Sequence, residues 1–263
     1  MNMNTTGQNP TATYLGGPTV ILELGGLRII TDPTLDPKGA AFKISDDTTE
    51  TKLDGPAIDD IGKIDLVLLS HDQHPDNLDK LGRELLLKVG NTITTKSGAQ
   101  RLMNNTLGLA PWEHIDIPAP DGSLITIIAT PARHGPAGSE HITGEVIGFL
   151  IQVIGEISYE IYITGDTVFY EGIKLVAERF KPGYVFIFAG AARPRGPFNV
   201  TMSSNDAIDT AFAFPLARII PLHHEGWSHY TENGDVLSEA FSVLGISERL
   251  ILLKKGEKTI MPI

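Results

Sequence analysis

Five apolar runs in this chain each lead to a side chain that can hold a metal ion, and that repetition limits the fold more than any other feature. Leu27-Arg-Ile-Ile30 leads to Asp32, Leu66-Val-Leu-Leu69 to His71, Leu124-Ile-Thr-Ile-Ile128 to His134, Glu160-Ile-Tyr-Ile163 to Asp166, and Arg218-Ile-Ile-Pro-Leu222 to His223. If the runs are strands whose C-terminal ends share an edge, the donors converge on one rim, as a site built from His and carboxylate requires. The densest stretch, SHDQHPDNLD from Ser70 to Asp79, packs two histidines and three aspartates directly behind Ile64–Leu69. A surface turn accounts for Pro75, Asn77 and the aspartates but gives no reason for imidazole.

The rest of the chain reads as short strands with helices interspersed. β-branched and aromatic content bounded by Gly, Pro or Asp predicts strands at Thr19–Leu24, Leu27–Ile30, Ile64–Leu69, Leu124–Ala129, Val146–Ile154, Ile157–Ile163, Tyr184–Phe188 and Ala217–Ile220, with another at Leu250–Leu253. Helices are expected over Leu78–Lys88, with Asp76 or Asn77 as cap, and over Gly98–Asn105, Gly172–Phe180, Asn205–Phe214 and Gly234–Val243. Two β-rich stretches, each followed by helices, favour two packed sheets with helices outside over a doubly wound parallel sheet. Residues 33–60, rich in Asp, Pro, Gly and Thr, read as a long insertion of the kind that forms lids or stays disordered. The 263 residues are read as one domain, 1–263.

Composition narrows the chemistry. There is no cysteine, so no disulfide, no thiolate nucleophile and no Cys-held zinc are available, and any metal rests on His, Asp or Glu. Imidazole with carboxylate suits zinc, iron or manganese, whereas a magnesium site normally uses oxygen alone. The formal charge of -11 repels polyanions, so nucleic acid is not expected as a partner. No apolar run is long enough to span a bilayer and no signal segment is visible, which leaves the cytoplasm as the expected location. Single residues have plainer readings: Asp32 and Asp166 are also turn formers, and His114 and His141 fall outside the set.

Taken in order, Leu15-Gly-Gly-Pro18 with Thr31-Asp-Pro33, the Ser70–Asp79 segment, Pro131-Ala-Arg-His134, Thr164-Gly-Asp-Thr167 and Pro221-Leu-His-His-Glu-Gly226 resemble the motifs of the metallo-β-lactamase superfamily. They are most similar to its branch of ascorbate-6-phosphate-lactonase-like hydrolases, and the likeness spans nearly the whole chain. The resemblance implies an α/β fold, an αββα sandwich of two packed mixed sheets with helices on the outer faces. It makes His71, His74 and His134 a first metal set, Asp76 and His223 part of a second, and Asp166 the bridge, holding one or two zinc ions, or manganese or iron. One departure stands out. The family's His-x-His-x-Asp-His is met by His71-Asp-Gln-His-Pro-Asp-Asn77, which fits with one extra residue between the histidines and Asn77 at the last His; a gap-free alignment instead sets Gln73 and Asp76 at those two positions.

The implied activity is metal-dependent hydrolysis of a small, anionic or neutral lactone, ester, amide or phosphoester. A bound cation lowers the pKa of its water from ~16 to around 7, with Asp76 or Asp166 orienting that water or taking its proton. Asp72 or Asp79 would steady the imidazoles, and Asp32 and Asn77 would bind metal or support it. Arg193, Arg195, His224, Trp227 and His229 are expected to line the substrate pocket. A metal-dependent nuclease and a non-catalytic ligand-binding member are the alternatives, and the chain could act alone or as a homo-oligomer.

Overall fold

A computed structural model of the chain describes residues 9–44 and 48–263. One sheet has seven strands: β1 (Thr11–Gly16), β2 (Thr19–Leu24), β3 (Leu27–Thr31), β6 (Leu66–Leu68), β7 (Thr92–Thr95), β8 (Thr106–Leu109) and β15 (Lys258–Ile260), in the order β15-β1-β2-β3-β6-β7-β8. The other has six: β9 (His114–Pro118), β10 (Leu124–Pro131), β11 (Ile147–Ile154), β12 (Tyr159–Ile163), β13 (Tyr184–Phe188) and β14 (Arg218–Leu222), ordered β14-β13-β12-β11-β10-β9. The short strands β4 (Ala41–Lys43) and β5 (Thr49–Thr51) pair as a separate hairpin.

The hydrophobic clusters fix the layering. Between the sheets, Leu22, Ile29, Leu66 and Leu68 meet Ile127, Phe149, Ile151, Phe186 and Phe188. The outer face of the second sheet, with Tyr162, Val185, Ile187 and Ile219, is covered by Ile173 and Val176 of α4 (Glu171–Arg179), Ala207 and Ala211 of α5 (Ser204–Ala213), and Leu237 and Phe241 of α6 (Gly234–Val243). The first sheet's outer face packs Ile30, Val67 and Leu69 against Leu78, Leu85 and Leu102, which belong to or flank α1 (Lys80–Leu86) and α2 (Lys96–Leu102). One further turn of helix, α3, spans Glu140–Thr143. The order is helix, sheet, sheet, helix, as expected. A strand covered on both faces has no polar side to show, and β13 is buried at every position of Tyr-Val-Phe-Ile-Phe.

Strand direction explains the shared rim. β3, β6, β7 and β8 run parallel. β12, β13 and β14 also run parallel, and β10, two antiparallel steps from β12, points the same way. The segments after β3, β6, β10, β12 and β14 therefore leave at one end of their sheets. The two sheets meet there: the Ile147 N–H donates to the Ser70 carbonyl at 3.2 Å.

Two expectations change. Leu250–Leu253 is no strand; it touches β14 through one bridge, Ile219 to Leu250. The 33–60 region contains the β4–β5 hairpin, tied to the body by a buried ion pair, Lys52 to Asp79 at 2.9 Å, and by paired hydrogen bonds between Thr51 and Ser228. Among the described residues no helix is long and apolar enough to cross a membrane.

Candidate metal centre

Asp32 follows β3 in a left-handed conformation, φ 32, which aspartate tolerates better than most residues. It is buried and does not join the metal-capable groups; its Oδ1 accepts from both the N–H and the hydroxyl of Ser70, at 3.0 and 2.6 Å. With its one proton committed to Asp32, the Ser70 hydroxyl accepts the Nδ1–H of His71 at 3.0 Å, and the His71 Nε2 lone pair faces the rim. Burial pushes the Asp32 carboxyl well above the usual range.

Three imidazole nitrogens meet there. His71 Nε2 lies 2.9 Å from His74 Nδ1, and His134 Nε2 lies 3.1 Å from that same atom. His134 Nδ1 donates to the Val200 carbonyl at 2.7 Å, so its Nε2 is also a lone pair aimed inward. One proton cannot join three acceptors, but one cation can. Asp166 Oδ2, 3.5 Å from His134 Nε2, adds the fourth donor, and the four atoms lie within 4.8 Å of one another. Burial, reinforced by the neighbouring imidazoles, holds His71 well below its ordinary range; burial also lowers His74 and pushes His134 down to about 3. All three are neutral at physiological pH, the form that binds metal, so the residues fit a transition-metal cation.

A second lobe adjoins the first. His223, left-handed at φ 58, places Nε2 3.1 Å from Asp76 Oδ2 and 3.4 Å from Asp166 Oδ1. Neither of its ring nitrogens is aligned for a hydrogen bond, and its ring stacks on Phe188 at 5.3 Å. A non-glycine residue held at positive φ stores about 1–3 kcal/mol, a cost met where the surrounding structure dictates the conformation. Asp166 thus turns one oxygen to each lobe, the geometry of a bridge. Burial pushes its carboxyl up to about 6.

Beyond Asp76 lies a third group that the motifs do not contain. Asp76 Oδ2 accepts from His229 Nε2 at 2.8 Å and from the Tyr230 hydroxyl at 3.3 Å, and Glu50 of β5 completes a cluster within 4.8 Å. Burial pushes the Asp76 carboxyl up, but the charges of His229 and His223 and the hydrogen bond from His229 outweigh it and hold it well below its usual range. His229 and His223 are correspondingly raised: burial lowers both, and the facing carboxylates more than compensate. Glu50 is pushed up to about 7, by burial first and the Asp76 charge second. Ile44, Ala192, Pro194, Arg195 and Val200 complete a narrow cleft of about 10 Å³ over the donors. A larger cavity, about 570 Å³, lies at the far end of the sandwich around Gly25, Arg28, Pro120 and Tyr159 and holds none of them.

Several sequence expectations need correction. Asp72 faces Arg101, accepting from its Nε and Nη2, and supports no imidazole. Asp79 caps α1, accepting from Gly82 N, and pairs with Lys52, so neither Asp76 nor Asn77 is the cap. Asn77 instead donates its amide to Asp166 Oδ1 at 3.1 Å. Gln73 is exposed against Gly144 while His74 is in the cluster, which settles the register in favour of the extra residue. Arg193 is held by Asn199 at 2.6 Å and does not line the cleft, whereas Arg195 does. His224 lies beside Tyr14, and Trp227 is buried against Phe42 behind His229, so neither lines the cleft. His114 and His141 stay outside, both exposed. Glu50, Tyr230 and Ser70 were not anticipated; only Ser70, adjacent to His71 at a strand end, carried a local signal.

Fold and donor set together define a metal-dependent hydrolase of the metallo-β-lactamase superfamily. The chain belongs to that superfamily: the family model described as "Beta-lactamase superfamily domain" matches residues 27–224, more than half of it. Among curated relatives, the UPF0173 protein YddR of Bacillus subtilis (strain 168) is 23% identical over 257 residues, covering 93% of this chain and 97% of YddR. A UPF0173 metal-dependent hydrolase of Sulfurisphaera tokodaii is 28% identical over 225 residues, 83% of this chain and 86% of the relative. Among solved structures, an isothiocyanate hydrolase from Delia radicum gut bacteria superposes with a TM-score of 0.80 at 23% identity, covering 96% of this chain and all of that one.

Proposed function

We propose that this chain hydrolyses a small molecule at a rim-bound transition metal, with His71, His74, His134 and Asp166 as the first ligand set. The observation that carries the reading is the meeting of three neutral imidazole nitrogens at 2.9 and 3.1 Å with a carboxylate oxygen beside them. Zinc suits this nitrogen-rich set, and manganese or iron would also be accepted. When bound, the cation supplies an acidified water and an electrophile for the scissile carbonyl or phosphoryl oxygen.

The chain's own groups divide the remaining work. Asp76, held ionised by His229 and His223, orients the attacking water. Asp166, placed between the lobes with one oxygen turned to each, would hold the cation beside that water. Arg195 at the cleft mouth offers a planar cation to a carboxylate or phosphate on the substrate. Ile44, Ala192 and Val200 make the wall apolar and limit water around the reacting group. Among the described residues that line the cleft, Arg195 is the one arginine or lysine, which favours a small ester, lactone, amide or phosphoester over a nucleic-acid strand.

The test is a panel of lactone, ester, amide and phosphodiester substrates assayed on the chelator-stripped protein and after addition of zinc or manganese. Activity on a small substrate should vanish on stripping and return with metal. Activity insensitive to metal, or confined to polynucleotide, would overturn the reading.

A further inference from the structure

Glu50 is an unusual residue to find over a metal rim. It sits on a three-residue strand, is 4% exposed, and its Oε2 is buried with no hydrogen-bond partner. Its position is fixed by its pairing with Phe42 of β4 and by the two residues that follow it: Thr51 N donates to Ser228 Oγ at 3.0 Å, and the Lys52 ammonium reaches Asp79 at 2.9 Å. The held carboxylate faces a second one, Asp76, with His229 beside both. Two buried carboxylates turned toward each other repel unless a cation or proton lies between them. In the metal-free chain the His229 Nε2 proton, donated to Asp76 at 2.8 Å, takes that place, and a bound cation would displace it.

The inner side of Asp76 is furnished differently. Asn77 directs its amide N–H to Asp166 Oδ1 at 3.1 Å, and its own oxygen Oδ1 is buried without a partner. A cation beside Asp166 on that side would meet amide protons where it needs a lone pair. On the outer side, Glu50 Oε, Asp76 Oδ and His229 N lie within 4.8 Å of one another, an oxygen-rich set that suits zinc, manganese or iron.

We propose that the second cation of this centre binds outward, held by Glu50, Asp76 and His229, because Asn77 closes the inner position. This rests on the metal-hydrolase reading above. Glu50 is then a ligand delivered by the β4–β5 hairpin, and the hairpin is part of the metal centre.

The test is calorimetric titration of Zn²⁺, with elemental analysis, into the stripped full-length protein and its Glu50→Gln and His229→Gln variants. Wild type should bind two equivalents. Each variant should keep the first at wild-type affinity and bind the second at least tenfold more weakly. Because Gln removes a buried charge without changing shape, the stripped Glu50→Gln protein should melt no lower than stripped wild type, whereas a merely structural Glu50 would lower it. Two equivalents bound at unchanged affinity in both variants would overturn the outward site, as would a wild type that binds one equivalent only. A wild type that binds no metal would overturn the hydrolase reading as well.

Discussion

Replacing Lys52 with Met should cost more than any other single change in the β4–β5 hairpin. The Lys52 and Asp79 side chains are 4% and 0% exposed, and burial pulls the ammonium's pKa below its ordinary value despite the facing carboxylate. Removing one partner of a buried ion pair costs about 3–5 kcal/mol, because the other charge is left uncompensated. Asp79 keeps two backbone donors, Asp36 N at 2.7 Å and Gly82 N at 2.9 Å, which argues for the lower end. Methionine also preserves the apolar stem over Trp227, whose ring centre lies 5.8 Å from the ammonium, so packing adds little to the loss. At roughly 2–4 °C per kcal/mol for a chain of this size, a loss of ~3 kcal/mol should lower the melting temperature by about 6–12 °C. Thermal and urea unfolding of Lys52→Met, Asp79→Asn and the double variant measure it, and the double should recover part of the loss. A fall under about 1 kcal/mol, or strict additivity in the cycle, would refute the claim that this pair pins the hairpin.

Other expectations follow from particular contacts. Gly190→Ala would set a methyl 2.2 Å from the His223 carbonyl oxygen and 3.0 Å from Tyr230, so metal content and activity should drop along with about 1–3 kcal/mol of stability, read by elemental analysis and melting. Glu50's folded pKa, raised to about 7 from an ordinary 4.5, means the folded chain holds its proton longer than the unfolded one, so this group's stability is intact below pH 4.5 and is lost as pH rises through 7. Stripped Glu50→Gln should therefore exceed stripped wild type by up to about 3 kcal/mol at pH 8 and match it near pH 4 in urea titrations. Arg195→Gln should raise KM for an anionic substrate more than for a neutral analogue, while Arg193→Gln, whose guanidinium is taken by Asn199, should change neither.

What could be read in advance follows from how local each signal is. Thr19–Leu24, Tyr184–Phe188 and Gly234–Val243 carry dense β-branched, aromatic or amphipathic patterns and fall where expected. β7, Thr-Ile-Thr-Thr, and β9, His-Ile-Asp-Ile-Pro, are threonine-rich or at the sheet edge, and become strands only by pairing with β8 and β10, which their own residues do not announce. Leu250–Leu253 shows the converse, an apolar run that finds one bridge and no ladder. The donors at strand ends were visible because a strand end is a local feature and parallel order carries it to the rim. Glu50 was not, since Thr-Glu-Thr in a polar loop has no pattern and its burial depends on Lys52 meeting Asp79. His224 was misplaced for a related reason: the left-handed turn at His223 sends adjacent rings opposite ways, one to the metal rim and one to Tyr14.

The most direct measurement is metal content by elemental mass spectrometry on the purified wild type and on His134→Ala. His134 Nε2 and its neighbours are the core of the donor set, so wild type should carry at least one zinc, manganese or iron per chain. His134→Ala should remain folded, since the sandwich core does not depend on the ring, yet carry far less metal. A wild type with well under one metal per chain after growth in metal-supplemented medium, or a His134→Ala variant with undiminished metal, would contradict the account.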